Sequence, residues 1–237
     1  MKNSPFIVVD GMSFLNLPCA KEVIEKVVAE DCYELRSLDK DWILIDCGAF
    51  YGEASIFAAN LGMKVIALEP SGDSFRILEA NWETNKMVLD GFVQLVNRPV
   101  GINGKYFIHH YRYDHPAGSG MEPFEGAIKK TMTAIGMHEL VKMAKNRFSV
   151  VKPIAVKMDI EHGEKDAFHD CDIWLPKVDF VAMETHNFDS DIYSEALVRN
   201  GFDVKLTGTG HPPRVPWDKS MAGGIIIARK KKTKAVA

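Results

Sequence analysis

Acids stand directly behind apolar runs at several points of this chain. Trp42 to Ile45 runs into Asp46, Lys64 to Leu68 into Glu69-Pro70, Ile154 to Met158 into Asp159, and Val178 to Met183 into Glu184. Glycines follow the first acid, in Asp46-Cys47-Gly48-Ala49-Phe50-Tyr51-Gly52. Histidines follow the last two: His162 in Ile160-Glu161-His162-Gly163-Glu164, and His186 in Glu184-Thr185-His186-Asn187. A buried strand ending in a carboxylate delivers that group to one edge of a sheet. Carboxylates and imidazoles gathered there could bond sugar hydroxyls, take a proton or hold a cation.

The first two acids read as one unit. Strand, Gly-rich turn, helix, strand and acid is an arrangement that holds a nucleoside. The glycines let a ligand approach the backbone, and the acid ending the next strand bonds a ribose hydroxyl, at a separation of roughly 20 residues. The three-glycine dinucleotide pattern is not met, and an acid at Asp46 would repel a pyrophosphate. The unit therefore predicts a nucleoside with a cationic end and no phosphate, which describes S-adenosylmethionine. In this reading Asp46, Gly48, Phe50 and Gly52 face its amino-acid end. Glu69, with Pro70 and Ser71 beside it, takes the ribose. Arg98, at the end of the run Phe92 to Val96, borders the adenine, and Asp159 completes the cofactor wall.

Transfer of a methyl group to an alcohol needs somewhere for the alcohol's proton to go. His186 and His162 are candidates to take it, with Asp159 orienting or serving as the base. A divalent cation is a second option, with Asp159, Glu161 and Glu184 as hard oxygen ligands for magnesium or calcium. The plainer alternatives are helix capping and first-turn charge for Asp159 and Glu161, the same for Glu164 deeper in its helix, and a structural ion pair for Lys157. His109, His110 and His115 also cluster. They read as ordinary strand and loop histidines.

The elements that must position these groups alternate between strand and helix, which implies an α/β fold with a largely parallel sheet covered on both faces. Residues 1–41 read as an N-terminal extension: a strand over Phe6 to Val9, a turn at Asp10-Gly11, and one amphipathic helix from Pro18 to Leu35. That helix turns Val23, Ile24, Val27 and Val28 inward and Lys21, Glu22, Glu25 and Lys26 outward. Residues 42–230 form the main domain. It carries a lid-like insertion near 104–146, in which Asn103-Gly104 is a hairpin turn, 112–126 a loop and His138 to Lys145 a helix. Thr131 to Thr133 fits either an edge strand or a helix. Gly201 stops a helix over Asp191 to Asn200, and Phe202 to Leu206 and Gly224 to Ala228 are the last strands. A loop at 207–220 separates those two, and 231–237 is a basic tail.

With 237 residues, 46% of them hydrophobic, the chain can build one substantial core. A net charge of -3 does not predict a nucleic-acid partner. The 4 cysteines show no Cys-x-x-Cys spacing and read as reduced thiols of a cytoplasmic protein. No signal peptide, membrane-spanning run or internal repeat is expected.

Three motifs in order, Asp46-Cys-Gly-Ala-Phe-Tyr-Gly, Val65-Ile-Ala-Leu-Glu-Pro and Lys157-Met-Asp-Ile-Glu-His-Gly-Glu, resemble those of FkbM-type methyltransferases. The likeness runs from about residue 42 to 206. It implies a Rossmann-like class I fold with seven strands, the last antiparallel, and O-methylation of a sugar, glycan or other small-molecule hydroxyl at the expense of S-adenosylmethionine. The family usually has Asn at the position of Phe50, and Gly-Ala where this chain has His162-Gly163. Alternative readings are an RNA 2′-O-methyltransferase, for which Lys157 and Asp159 are present without a second lysine, a nicotinamide-dependent oxidoreductase, and a non-catalytic binding module.

Overall fold

A computed structural model of the chain describes residues 4–17, 19–111, 128–186, 190–209 and 224–231. The apolar runs are strands: β3 (Ile43–Cys47), β4 (Lys64–Leu68), β8 (Ile154–Met158) and β9 (Phe180–Glu184). Every residue of β3, β8 and β9 is buried. Strands that are apolar on both faces need cover on both faces, and here helices supply it. Against one face pack α2 (Glu53–Asn60) and α3 (Gly72–Asn85), through Ile56, Phe57 and Leu78. Against the other pack α4 (Met137–Arg147) and α7 (Ser190–Arg199), together with Ala167 of the short helix α5 (Glu164–Ala167) and Trp174 of the short helix α6 (Cys171–Trp174).

With β5 (Phe92–Val96), β10 (Phe202–Thr209) and β11 (Gly224–Lys230) the sheet has seven strands in the order β10-β11-β9-β8-β3-β4-β5. Only β11 runs against its neighbours. The expected sheet is therefore the observed one. Its direction of winding reverses between β3 and β8, the place where open α/β sheets leave a crevice beyond the strand ends.

Register decides which acids reach that crevice. Cys47 pairs with Leu68 and with Met158, and Met158 pairs with Met183. One residue further on, Gly48, Glu69, Asp159 and Glu184 emerge level with one another. Asp46 lies a step inside, paired with Lys157.

The N-terminal segment differs from expectation. β1 (Phe6–Val9) turns at Asp10-Gly11 into a further strand, β2 (Met12–Leu15), which the short run Met12 to Leu15 did not signal. Asn85 and Asn81 of α3 accept the N–H groups of Ser13 and Leu15. Met12, Phe14, Ile24 and Val28 are buried in the main core, so this segment is part of the domain's packing. The helix α1 (Ala20–Ile24) continues as a wide π turn (Glu25–Ala29) and ends there, short of Leu35, which lies in a 3-10 turn (Leu35–Ser37). In the π turn the Glu30 N–H reaches back to the Glu25 carbonyl. The wider turn shifts the helical face, and Lys26, expected outside, points into the molecule.

Two further differences concern the insertion. β6 (Tyr106–Tyr111) pairs with β7 (Ile128–Thr133) and not with β5, so Asn103-Gly104 turns a corner and does not close a hairpin. The strand alternative is the one realised over Thr131 to Thr133, and helix α4 begins at Met137. His115 with all of the 112–126 loop, and most of the 207–220 loop, lie outside the described residues.

Candidate cofactor and active site

A cavity opens at the crevice, enclosing about 1080 Å³ of space continuous with solvent. Gly48, Ala49 and Phe50 from the β3 turn, Glu53 and Ala54 of α2, and Glu69 and Pro70 after β4 form one wall. Arg98, Pro99 and Val100 beyond β5 form a second, and Asp159, Ile160, Glu161 and Glu184 a third. The N-terminal segment closes it with Val23, Lys26, Val27 and Tyr33.

Glu69 is fixed by the backbone. Its Oε2 accepts the Phe50 N–H at 2.9 Å and its Oε1 the Ser71 N–H at 2.8 Å. Burial pushes its pKa up to about 7, against the pull of those two amides. Each oxygen keeps a lone pair for a ligand hydroxyl. Phe50 presents its N–H from left-handed backbone, φ 49, which costs an aromatic residue more than an Asn. This is where the resembled family has Asn. Gly48 has φ 78, and a Cβ there would stand 1.7 Å from the Asp159 carbonyl oxygen. It is a glycine because the β3 and β8 turns touch. Gly52 is off the cavity, and a Cβ on it would meet Leu78 at 2.4 Å, so its part is to seat α2 against α3. Ser71 caps α3, accepting the Ser74 N–H. Arg98 lines the cavity, but its guanidinium is spent on the carbonyls of Thr133 and Ala134 at 3.0 and 2.9 Å.

Asp46 does not line the cavity. It is fully buried, accepts a hydrogen bond from Ser55 Oγ at 2.6 Å, and stands 3.2 Å from Lys157 Nζ. That ammonium also donates to the Gly48 carbonyl at 2.7 Å. Burial works against charge on Lys157, but Asp46 and Asp159 hold its pKa well above the ordinary lysine value. The pair braces the turn from behind. The acid that lines this wall of the cavity in its stead is Glu53, which sequence reasoning passed over. It is buried on the cavity wall, its Oε1 has no hydrogen-bond partner, and burial pushes its pKa up to about 8.

The third wall divides into two groups. Glu184 turns toward the N-terminal helix: Lys26 Nζ donates to both its oxygens, at 3.0 and 3.3 Å, and the Tyr33 hydroxyl lies 3.4 Å away. Tyr33 also donates to Asp159 Oδ2 at 3.1 Å. Glu184 is thus drawn away from the carboxylate set predicted for a cation. His186 takes its place. His186 Nε2 lies 3.8 Å from Asp159 Oδ1 and 3.5 Å from Glu161 Oε2, and Nδ1 lies 2.9 Å from Glu164 Oε1. Burial disfavours charge on this imidazole, yet Glu164, Glu161 and Asp159 raise its pKa to about 10. Left as it stands, His186 carries its proton at neutral pH and is a poor base. Asp159 is held ionised: burial is outweighed by Lys157, His186, Lys26 and the Tyr33 hydroxyl. The His162 ring lies 5.3 Å from that of His186, off the cavity wall.

Lys26, Tyr33, Glu53 and Glu164 are the site residues the sequence did not disclose. Glu164, read as a first-turn helix charge, is fully buried under His186. The only sequence sign was its place three residues after Glu161, in a turn whose glycine allows close packing.

No family model matches the chain, and no curated protein does. Among solved structures it is similar to an rRNA methylase from Streptococcus thermophilus, with a TM-score of 0.50 and 12% identity over 87% of this chain and 96% of that one. It is also similar to the magnesium protoporphyrin IX methyltransferase of Synechocystis PCC 6803, solved with SAM bound, with a TM-score of 0.50 and 10% identity over 89% and 79% of the two chains. At such identities the likeness is one of fold alone.

Proposed function

We propose that the protein is an S-adenosylmethionine-dependent methyltransferase of FkbM type that acts on a hydroxyl of a sugar, glycan or other small natural product. The observation that carries this reading is Glu69. Its carboxylate follows the second strand of the nucleoside unit, is held by two backbone amides and lines the cavity. The residues fit the cofactor's chemistry. Glu69 suits the ribose hydroxyls, and Pro70 and Pro99 offer flat apolar contact beside the adenine position. Glu53, with an unpartnered oxygen, suits the ammonium better than Asp46 does. When bound, the cofactor supplies a methyl group on a sulfonium.

The chain's own part is alignment and proton handling. Asp159, ionised and on the cavity wall, accepts the acceptor hydroxyl's hydrogen bond, and Tyr33 steers that carboxylate. His186 stands beside it, with His162 behind His186. Lys157 is committed to Asp46 and Gly48, which gives no support to a lysine-based RNA 2′-O-transfer.

Thermal denaturation with added S-adenosylhomocysteine or NAD tests the reading. A ligand at about 100 times its Kd stabilises by ~2.7 kcal/mol, which for a chain of this size is a rise of roughly 5–11 °C in Tm. The rise is expected with S-adenosylhomocysteine alone. A rise with NAD alone, or with neither at millimolar supply, refutes it.

A further inference from the structure

Among the described residues, Asp159, Glu161 and His186 bring one ligand atom each within 4.8 Å of one another. The Asp159 and Glu161 oxygens stand 3.8 Å and 3.5 Å from His186 Nε2, close to the roughly 3–3.5 Å between adjacent donors around a dication with ~2.1 Å bonds. The surroundings are built to hold this arrangement. Glu164 is fully buried and takes His186 Nδ1, which leaves Nε2 directed at the two carboxylates. A buried carboxylate behind the far nitrogen is how proteins fix a metal-binding imidazole. Tyr33 occupies Asp159 Oδ2 and leaves Oδ1 toward His186. Glu161 and His162 both have left-handed backbone, φ 48 and 71, a turn that swings Glu161 back over the site. Asp159 and Glu161 also line the cavity, so remaining coordination positions would open onto it.

We propose that Asp159, Glu161 and His186 bind a divalent first-row metal ion of the manganese or zinc class, with Glu164 as the positioning residue for His186. Replacing a carboxylate by an imidazole moves the donor set from the magnesium and calcium class toward manganese, iron and zinc. Three protein ligands leave positions for two oxygens of an acceptor such as a vicinal diol. The role in catalysis rests on the methyl-transfer reading; the binding does not. Coordination lowers the hydroxyl's pKa, and its proton passes to solvent. The oxygen then forms the bond to the methyl carbon as the carbon–sulfur bond breaks, its electron pair returning to sulfur.

The full chain, stripped with a chelator, is titrated with Mn2+ by the loss of the free-ion EPR signal and with Zn2+ by calorimetry. One site per chain is expected, with Mg2+ and Ca2+ at least tenfold weaker. His186→Gln and Glu161→Gln should each weaken Mn2+ at least tenfold, and Glu164→Gln by about 10–100-fold. Glu161 is partly exposed, so its variant keeps the test alive if loss of His186 unfolds the site. The proposal is overturned if neither metal binds saturably up to millimolar, or if both Gln variants at the ligands bind as the parent does. Metal binding without S-adenosylhomocysteine binding sustains the site and removes the methyl-transfer reading; the reverse removes the site alone.

Discussion

Glu53 and Glu69 are two acids kept in a buried wall, and both have pKa values raised by that burial. An acid with a higher pKa folded than unfolded favours the native state only while it keeps its proton. For Glu53 the cost of ionising sets in above the ordinary value of 4.5 and is complete above about 8. Glu53→Gln removes that cost. The Tm of the variant should match the parent near pH 5 and exceed it by several degrees near pH 9, at ~2–4 °C per kcal/mol. The same variant should bind S-adenosylhomocysteine about tenfold more weakly if Glu53 meets the ammonium, roughly 1.4 kcal/mol; unchanged affinity assigns that ammonium elsewhere. Glu69→Ala is a harsher change. It leaves the Phe50 and Ser71 N–H groups without acceptors, at ~1–3 kcal/mol each. It should therefore lower Tm as well as cofactor affinity, both readable in one calorimetric series. A loss of Tm with full affinity would reduce Glu69 to a brace for its turn.

At the scale of elements, two contacts decide the shape of the site. The β3 and β8 turns meet at Gly48, whose left-handed φ alone would cost an alanine ~1–2 kcal/mol. A Cβ would also collide with the Asp159 carbonyl, so Gly48→Ala should displace Asp159. Loss of several degrees in Tm, together with loss of turnover, is the expected outcome of melting and rate assays. The second contact is the N-terminal helix, which the π turn rotates so that Lys26 reaches Glu184. Truncating one partner of a mostly buried pair leaves the other charge unpaired, which costs up to ~3–5 kcal/mol. Lys26→Ala should lower the urea midpoint and speed cofactor release in stopped-flow, since the same helix supplies a cavity wall. Unchanged release would make the helix a spectator.

For the molecule as a whole, the order β10-β11-β9-β8-β3-β4-β5 puts the reversal of winding between the strands that end at Gly48 and Asp159. The cavity is a consequence of that topology. No helix among the described residues is long and apolar enough to cross a membrane.

How much of this was legible beforehand depended on the range of the interaction. Periodicity is local. Runs buried on both faces announced the strands, and the acids behind them marked one rim, so Glu69, Asp159 and Glu184 were found where parallel register must bring them out. The reach of each side chain was not local. Whether Asp46 faced a ligand or Lys157 depended on a one-residue step of register between β3 and β8. Whether Glu184 or His186 joined Asp159 and Glu161 depended on Lys26, which lies 158 positions from Glu184 along the chain and is turned inward by a single wide helical turn. Backbone pattern is written within a few residues of itself, while charge pairing is settled between segments that meet only after the core has closed.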